Sequence, residues 1–280
     1  MKNLLALTLL FFCAQTLFAQ ASDEMNSKGI ALAKKGKVDK AFAVFEKAIQ
    51  QYPNAPGPYS NRGNIHRMRK NYDLAIADYT KSLDLYPDNM GIVYSRANTY
   101  MELEEFEKAI TDYSTVIANE PSYSNIYFDR AYANIRLERY ENARMDLESQ
   151  LEWAPKDFKS LANLINVKTK LERYDEASAD YEQIVREFPN APNKHILYNN
   201  WASLYQEMKQ PKNALVKINQ ALKHKKNYDI GHYTRARVYM DLGDTKNACK
   251  DFNKALKLNL LSNDHFKADE DYEGLKQLCE

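Results

Sequence analysis

Four arginines, Arg62, Arg96, Arg130 and Arg235, each stand 16 residues ahead of an aspartate: Asp78, Asp112, Asp146 and Asp251. A guanidinium offers a planar fork of donors that a carboxylate meets with both oxygens. Such a set can either grip an acidic ligand or form a ladder of internal ion pairs. The joint recurrence of both partners favours the ladder, because ion-pair networks often imitate functional clusters. One stretch keeps Asp180 opposite Leu164, and another lacks both members, with Trp201 and Lys217 in their places. The spacing therefore predicts guanidinium–carboxylate contacts, within one segment or across to its neighbour.

Other chemistry finds less support. His66, His195, His224, His232 and His265 form neither an H-x3-H nor an H-E-x-x-H arrangement, so no metal site is implied. There is no nucleophile elbow and no phosphate-binding glycine loop. Asp269-Glu270-Asp271 lacks the ligand spacing of a calcium loop. No cofactor is implied, and with no nucleophile paired to a base, enzymatic activity has nothing to rest on.

The elements that must position these residues are set by a period. Ala41/Pro53, Ala75/Pro87, Ala109/Pro121, Ala143/Pro155 and Ala177/Pro189 recur every 34 residues, with Phe45, Tyr79, Tyr113, Leu147 and Tyr181 four residues past each alanine. A fixed period of this length means a stacked array of similar units. Within one period, Val93, Ala97, Tyr100 and Leu103 share a helical face. Ala109, Ile110, Tyr113, Val116 and Ile117 share another. Each unit is thus a hairpin of a helix A and a helix B. Small residues at Gly29, Gly63, Ala97, Ala131, Ala202 and Ala236 permit close approach, and Ile165 in the fifth unit predicts a splayed hairpin. Asp39, Asp73, Glu107, Glu141 and Asp175 fall at the start of helix B, where negative charge is favoured. The prolines close helix B by disfavouring the α region for the residue before them.

The period and the A-x3-F…P pattern resemble the tetratricopeptide repeat (TPR) family over nearly all of the chain after residue 21. The resemblance implies an all-α, right-handed superhelical solenoid of about seven hairpins: 22–55, 56–89, 90–123, 124–157, 158–191, 195–228 and 229–262. A capping helix over 263–280 closes the array, and Pro192–Lys194 is an insertion. Repeats six and seven carry Lys226 and Leu260 in place of the final proline, which predicts less sharply fixed helix ends.

Residues 1–21 read differently. A basic start at Lys2, an apolar run from Leu4 to Phe12 and a small-residue exit at Ala19-Gln20-Ala21 have the layout of a cleaved secretory signal. Leu10-Phe11-Phe12 ahead of Cys13 argues against lipidation there. The predicted location is therefore the periplasm or the cell exterior. Without the leader, basic and acidic residues balance at 38 each, which excludes the basic excess of a typical nucleic-acid binder. Repeat three nevertheless carries a net −4 and repeat six a net +5, so contact with an acidic partner or the envelope through repeat six stays open beside a helix-end role for Lys223–Lys226. Export leaves two cysteines, Cys249 and Cys279. An oxidising compartment favours their bridging, two free thiols being the alternative, and exported bacterial TPR proteins end in a similar late pair.

The resemblance also implies a function: a scaffold that receives a peptide or a partner helix in a concave groove lined by helices A. Carried onto this sequence, the groove positions give Asn64, Tyr94, Asn98, Phe128, Tyr132, Asn166, Tyr233 and Arg237. Asparagine amides can hold a peptide backbone, and aromatics off the core face are typical interface anchors. Packing between successive helices A is the competing use of those positions. Self-association or envelope contact is the competing function, and an enzyme with a non-local active site is a distant third.

Overall fold

The computed structural model describes residues 20–123, 125–191, 193–259 and 270–280. Residues 1–19 of the expected leader, Pro192 of the insertion and the stretch 260–269, which includes 263–269 of the expected cap, lie outside the described residues. Residues 20 and 21 belong to the first helix. The chain divides into two compact units that part between Trp153 and Ala154.

Unit one holds four hairpins: α1 (20–34) with α2 (Val38–Gln51), α3 (Pro56–Met68) with α4 (Tyr72–Leu85), α5 (Met90–Glu102) with α6 (Phe106–Asn119), and α7 (Ile126–Arg136) with α8 (Tyr140–Trp153). Unit two holds three, α9 (Phe158–Lys170) with α10 (Tyr174–Glu187), α11 (Lys194–Glu207) with α12 (Pro211–His224) and α13 (Asp229–Asp241) with α14 (Thr245–Lys257), and ends with α15 (Glu270–Cys279). Among the described residues there is no strand.

Inside each unit helix B packs on the helix A of its own hairpin and on that of the next. The alanine register builds this core: Ala41, Ala75, Ala97, Ala109, Ala131, Ala143, Ala177, Ala202, Ala214 and Ala236 are fully buried. At Gly29 a Cβ would sit 2.3 Å from the Phe45 ring, so α1 approaches α2 more closely than alanine allows. Ile165 is also fully buried, and α9 packs against α10 less closely than the helices of the neighbouring hairpins do.

Every turn from helix A to helix B uses one conformation. Gly36, Lys70, Glu104, Glu138, Glu172, Lys209 and Gly243 occupy the same repeat position, all with φ between 55° and 73°. The left-handed residue lets the following amide reach back to close the helix, as when Asn71 N–H donates to the His66 carbonyl at 2.9 Å. Only two of the seven are glycine, so the other five carry the steric cost of a Cβ in this region.

Helix B stops two residues before the repeat proline, with Tyr52, Tyr86, Glu120 and Phe188 turned out of the helical region. One expectation fails here. α12 ends at the same repeat position with Lys225 extended (φ −143°, ψ 96°), although Lys226 replaces the proline. Just past that exit Tyr228 is buried and packed edge-on to His195. α14 stops one position earlier in the repeat, with Asn259 left-handed at φ 78°.

Candidate partner-binding surface

The polar groups between helices A and B come first, since they decide which side chains remain for a partner. Arg62 donates Nε–H and Nη2–H to Asp78 at 2.9 and 2.7 Å. Arg96 holds Asp112 in the same way at 2.8 and 2.9 Å, and Arg130 holds Asp146 at 3.0 and 2.5 Å. Arg235 holds Asp251 at 2.5 and 2.8 Å. Each pair is internal to one hairpin, with the aspartate buried and the arginine part-exposed. The spare Nη1 of three arginines reaches the preceding helix B: Arg96 to Thr80, Arg130 to Ser114 and Arg235 to Asn219. One guanidinium therefore ties three helices together, and its donors are spent inside the fold.

Repeat one carries Lys28 and Val44 at these positions, and repeats five and six differ from the ladder in their own ways. In repeat five the cation has moved one helical turn, and Lys168 donates to Asp180 at 2.6 Å. Positions one turn apart on helix A can face the same carboxylate, as Asn134 does when it adds a bond to Asp146 at 3.1 Å. In repeat six Lys217 Nζ lies 3.2 Å from the centre of the Trp201 ring, a cation–π contact in place of the ion pair. Burial draws the Lys217 ammonium below its ordinary range. The Trp201 indole donates to Ser178 on the preceding helix B and stacks on Tyr181. At Asp251 burial opposes ionisation, but bonds from His232 and Arg235 outweigh it and hold the carboxyl below its ordinary value.

The expected groove residues fall into two groups. Tyr94 belongs to the interface between repeats three and four: it packs on Tyr113 and Tyr123 and donates its hydroxyl to Asp129 at 2.6 Å. Burial, then the Asp129 carboxylate, pushes the Tyr94 phenol up to about 12. Asn98 is half-buried and accepts from the buried Tyr113 hydroxyl at 2.6 Å. Tyr233 corrects the expectation outright. It is 1 % exposed, in a core with Phe252, Tyr272 and Leu275, because α15 packs on α13 and α14 and covers it. Arg237 is likewise engaged, its Nε 2.5 Å from Asp271 of α15. Repeat seven therefore has its helix-A face closed by the cap.

Asn64, Asn166 and Tyr132 are exposed, and Phe128 is half-buried. Asn64 accepts from Tyr79 at 2.8 Å and keeps its amide nitrogen unbonded among the described residues. Beside it lies a depression that the sequence reading missed. Ile30 and Ala33 of α1, Val38 and Phe45 of α2, and Ile65 and Met68 of α3 line it, with Lys34 of α1, Asn61 and Asn64 as polar members. Met68 is 61 % exposed and Tyr132 is 45 % exposed. Met68, like Asn64, falls at a groove position in the sequence; the members from α1 and α2 carry no such signal.

Cys249 of α14 and Cys279 of α15 are brought together, with Cα atoms 5.2 Å apart. Among the described residues no three acidic, histidine or cysteine side chains are placed to hold a metal ion.

A chain of hairpins at this period, closed by these alanines and prolines, defines a helical-repeat protein. TPR family models match residues 28–55, 58–89, 94–157 and 230–262, together more than half of the chain. The chain belongs to the tetratricopeptide repeat family. No curated protein matches it. Among solved structures it is similar to a TPR protein from Parabacteroides merdae, at 24% identity and TM-score 0.58 over 93% of this chain and 98% of that one. It is also similar to the C-terminal part of a TPR protein from Cytophaga hutchinsonii, at 16% identity and TM-score 0.70 over 89% and 98%. A third is YrrB, described as a TPR protein with an unusual peptide-binding site, at 18% identity and TM-score 0.58 over 67% and 95%. These likenesses establish the fold.

Proposed function

We propose that this protein is an exported scaffold that binds a peptide or helix of another protein on the helix-A face of unit one. The observation that carries the reading is the depression between α1 and α3. Six apolar side chains line it, Met68 stands exposed at its edge, and Asn64 keeps free donors beside it. An apolar pocket supplies the hydrophobic contact, and an amide at its rim can bond the partner's backbone carbonyl. Tyr132, exposed on α7 of the same unit, supplies an aromatic anchor. YrrB, which shares the fold, is described as binding peptide, and that agrees with this use of the surface. Asn166 offers the same amide in unit two.

Export rests on the leader pattern over 1–21 and on the pairing of Cys249 with Cys279, which an oxidising compartment would lock as a disulfide. The test is affinity capture of proteins from the native envelope by wild type, Met68→Glu, Tyr132→Ala and, as an outer-face control, Thr115→Ala. Losing an aromatic anchor costs about 2 kcal/mol of binding, roughly thirtyfold. The control and wild type should capture the same partner, and the first two variants should lose it with their melting temperatures unmoved. Equal capture by all four would remove the reading. Asn98→Ala is unsuitable as a probe, since it strands the buried Tyr113 hydroxyl.

A further inference from the structure

The second helices of repeats six and seven, α12 and α14, both pack on α13. Lys212 and Lys223 of α12 and Lys246 and Lys257 of α14 occupy matching repeat positions, so they recur on the same side of unit two. Lys225 and Lys226 follow α12 directly, and Lys250 and Lys254 complete the stripe on α14; all eight are exposed. α12 contains no acidic residue, and the one in α14, Asp251, is buried against Arg235 and His232. Lysine ion pairs among the described residues are those of Lys108, Lys168 and Lys276, so none of the eight has an acidic partner there.

Fold stability explains only part of this face: Lys223, Lys254 and Lys257 fall in the last turns of their helices, where the dipole favours cations, but the first turns run against it. At the first turn of helix B, repeats one to five carry Asp39, Asp73, Glu107, Glu141 and Asp175, the sign that the helix N-terminus favours. Lys212 and Lys246 reverse that sign in both of the last two repeats, against the helix dipole. Uncompensated like charges also repel one another, so the arrangement gains only when an anionic surface meets it.

We infer that the α12/α14 lysine face docks on an anionic phospholipid surface. Flexible point charges suit mobile headgroups, which rearrange to meet them. Base recognition relies on arginine forks and stacking aromatics, and the exposed positions of these helices carry no arginine, tyrosine, phenylalanine or tryptophan. Val216, 56% exposed among the lysines, adds one apolar contact. Among the described residues no helix is long and apolar enough to cross a membrane. It does not rest on the partner-binding reading, and its test reads a different surface.

The experiment is co-sedimentation with vesicles of phosphatidylcholine alone and of phosphatidylcholine mixed with phosphatidylglycerol, at low and high salt. Binding should require the anionic lipid and disappear as salt screens the charges. Each lysine near such a surface is worth roughly a fivefold gain in partitioning, so Lys212→Gln/Lys223→Gln/Lys246→Gln/Lys250→Gln should lower it by several hundredfold. Lys47→Gln/Lys81→Gln, on the exposed sides of α2 and α4, should bind as wild type, and both variants should keep the wild-type melting temperature. Equal sedimentation with both vesicle types, or a quadruple variant that binds like wild type, would overturn the inference. So would tight binding to duplex DNA with none to anionic vesicles.

Discussion

Unit one and unit two build their hairpins to one plan and neutralise the interior of those hairpins in different ways. In unit one the pairs α3/α4, α5/α6 and α7/α8 each carry the same bidentate arginine–aspartate contact. In unit two only α13/α14 keeps it, with His232 added on Asp251, while the other hairpins use Lys168 on Asp180 and Lys217 over Trp201. The difference teaches what the fold requires. A helix pair held this close needs its interior charge compensated, but not by a fixed pair of residues. A buried carboxylate without a cation is costly, while a cation can be held by a ring in place of an acid.

The largest effect expected lies at the end of unit two. If Cys249 and Cys279 are bonded, the closed loop of about 30 residues is worth roughly 3–4 kcal/mol in the chain-entropy model. Reduction should loosen α14 and α15 and expose Tyr233, leaving hydrogen exchange in unit one unchanged. Two free thiols in protein taken from its native compartment would exclude the bond.

Next come the hairpin interiors. Asp112→Ala strands a partly buried guanidinium and should cost about 3 kcal/mol, near the lower end for a broken buried pair. Lys217→Met should cost only about 1 kcal/mol, the scale of a cation–π contact. Chemical denaturation of the two variants reads the difference, and equal costs would break the comparison.

A pH dependence sharpens it at α13/α14. The folded Asp251 carboxyl binds its proton more weakly than the unfolded one, whose ordinary value is about 3.9. The unfolded chain therefore takes up more protons as pH falls through that value. The stabilisation is present above it and is lost as pH drops through the lower folded value. Asp251→Asn should flatten this acid slope in unit two, which thermal melts from neutral to acidic pH would record.

The smallest effect concerns the left-handed turns. Lys70→Gly and Glu172→Gly relieve a Cβ at φ 61° and 58° and should each stabilise by about 0.5–1 kcal/mol, after the entropy cost of glycine. That corresponds to a rise of a few degrees at most.

Much of this was legible because a period repeats its evidence. The alanine and proline register placed the hairpins, and the fixed spacing of Arg62, Arg96, Arg130 and Arg235 from their aspartates named the ion pairs. What stayed hidden was information that no repetition carries. Lys168 takes over from Leu164 one turn away, outside the spacing that identified the series. Tyr233 looked like a groove residue because its position is one, but the last repeat has a cap where others have a neighbour. The turn conformation was masked by chemistry, since Lys70, Glu104, Glu138, Glu172 and Lys209 give no sign that Gly36 and Gly243 share their position. Two more of the eight groove residues are engaged by neighbouring helices. Asn98 and Tyr94 sit close enough to the next element to bond it, and a bonded group is less available to a partner.

The central claim is that a partner docks on the helix-A face of unit one, and site-directed photo-crosslinking in the native cells tests it most directly. A photoreactive residue would replace Met68 or Tyr132 on that face, and Lys47 or Thr115 on the outer sides of α2 and α6. The account predicts the same protein adduct from positions 68 and 132 and none from 47 and 115. Adducts confined to 47 and 115, or none at 68 and 132, would contradict it.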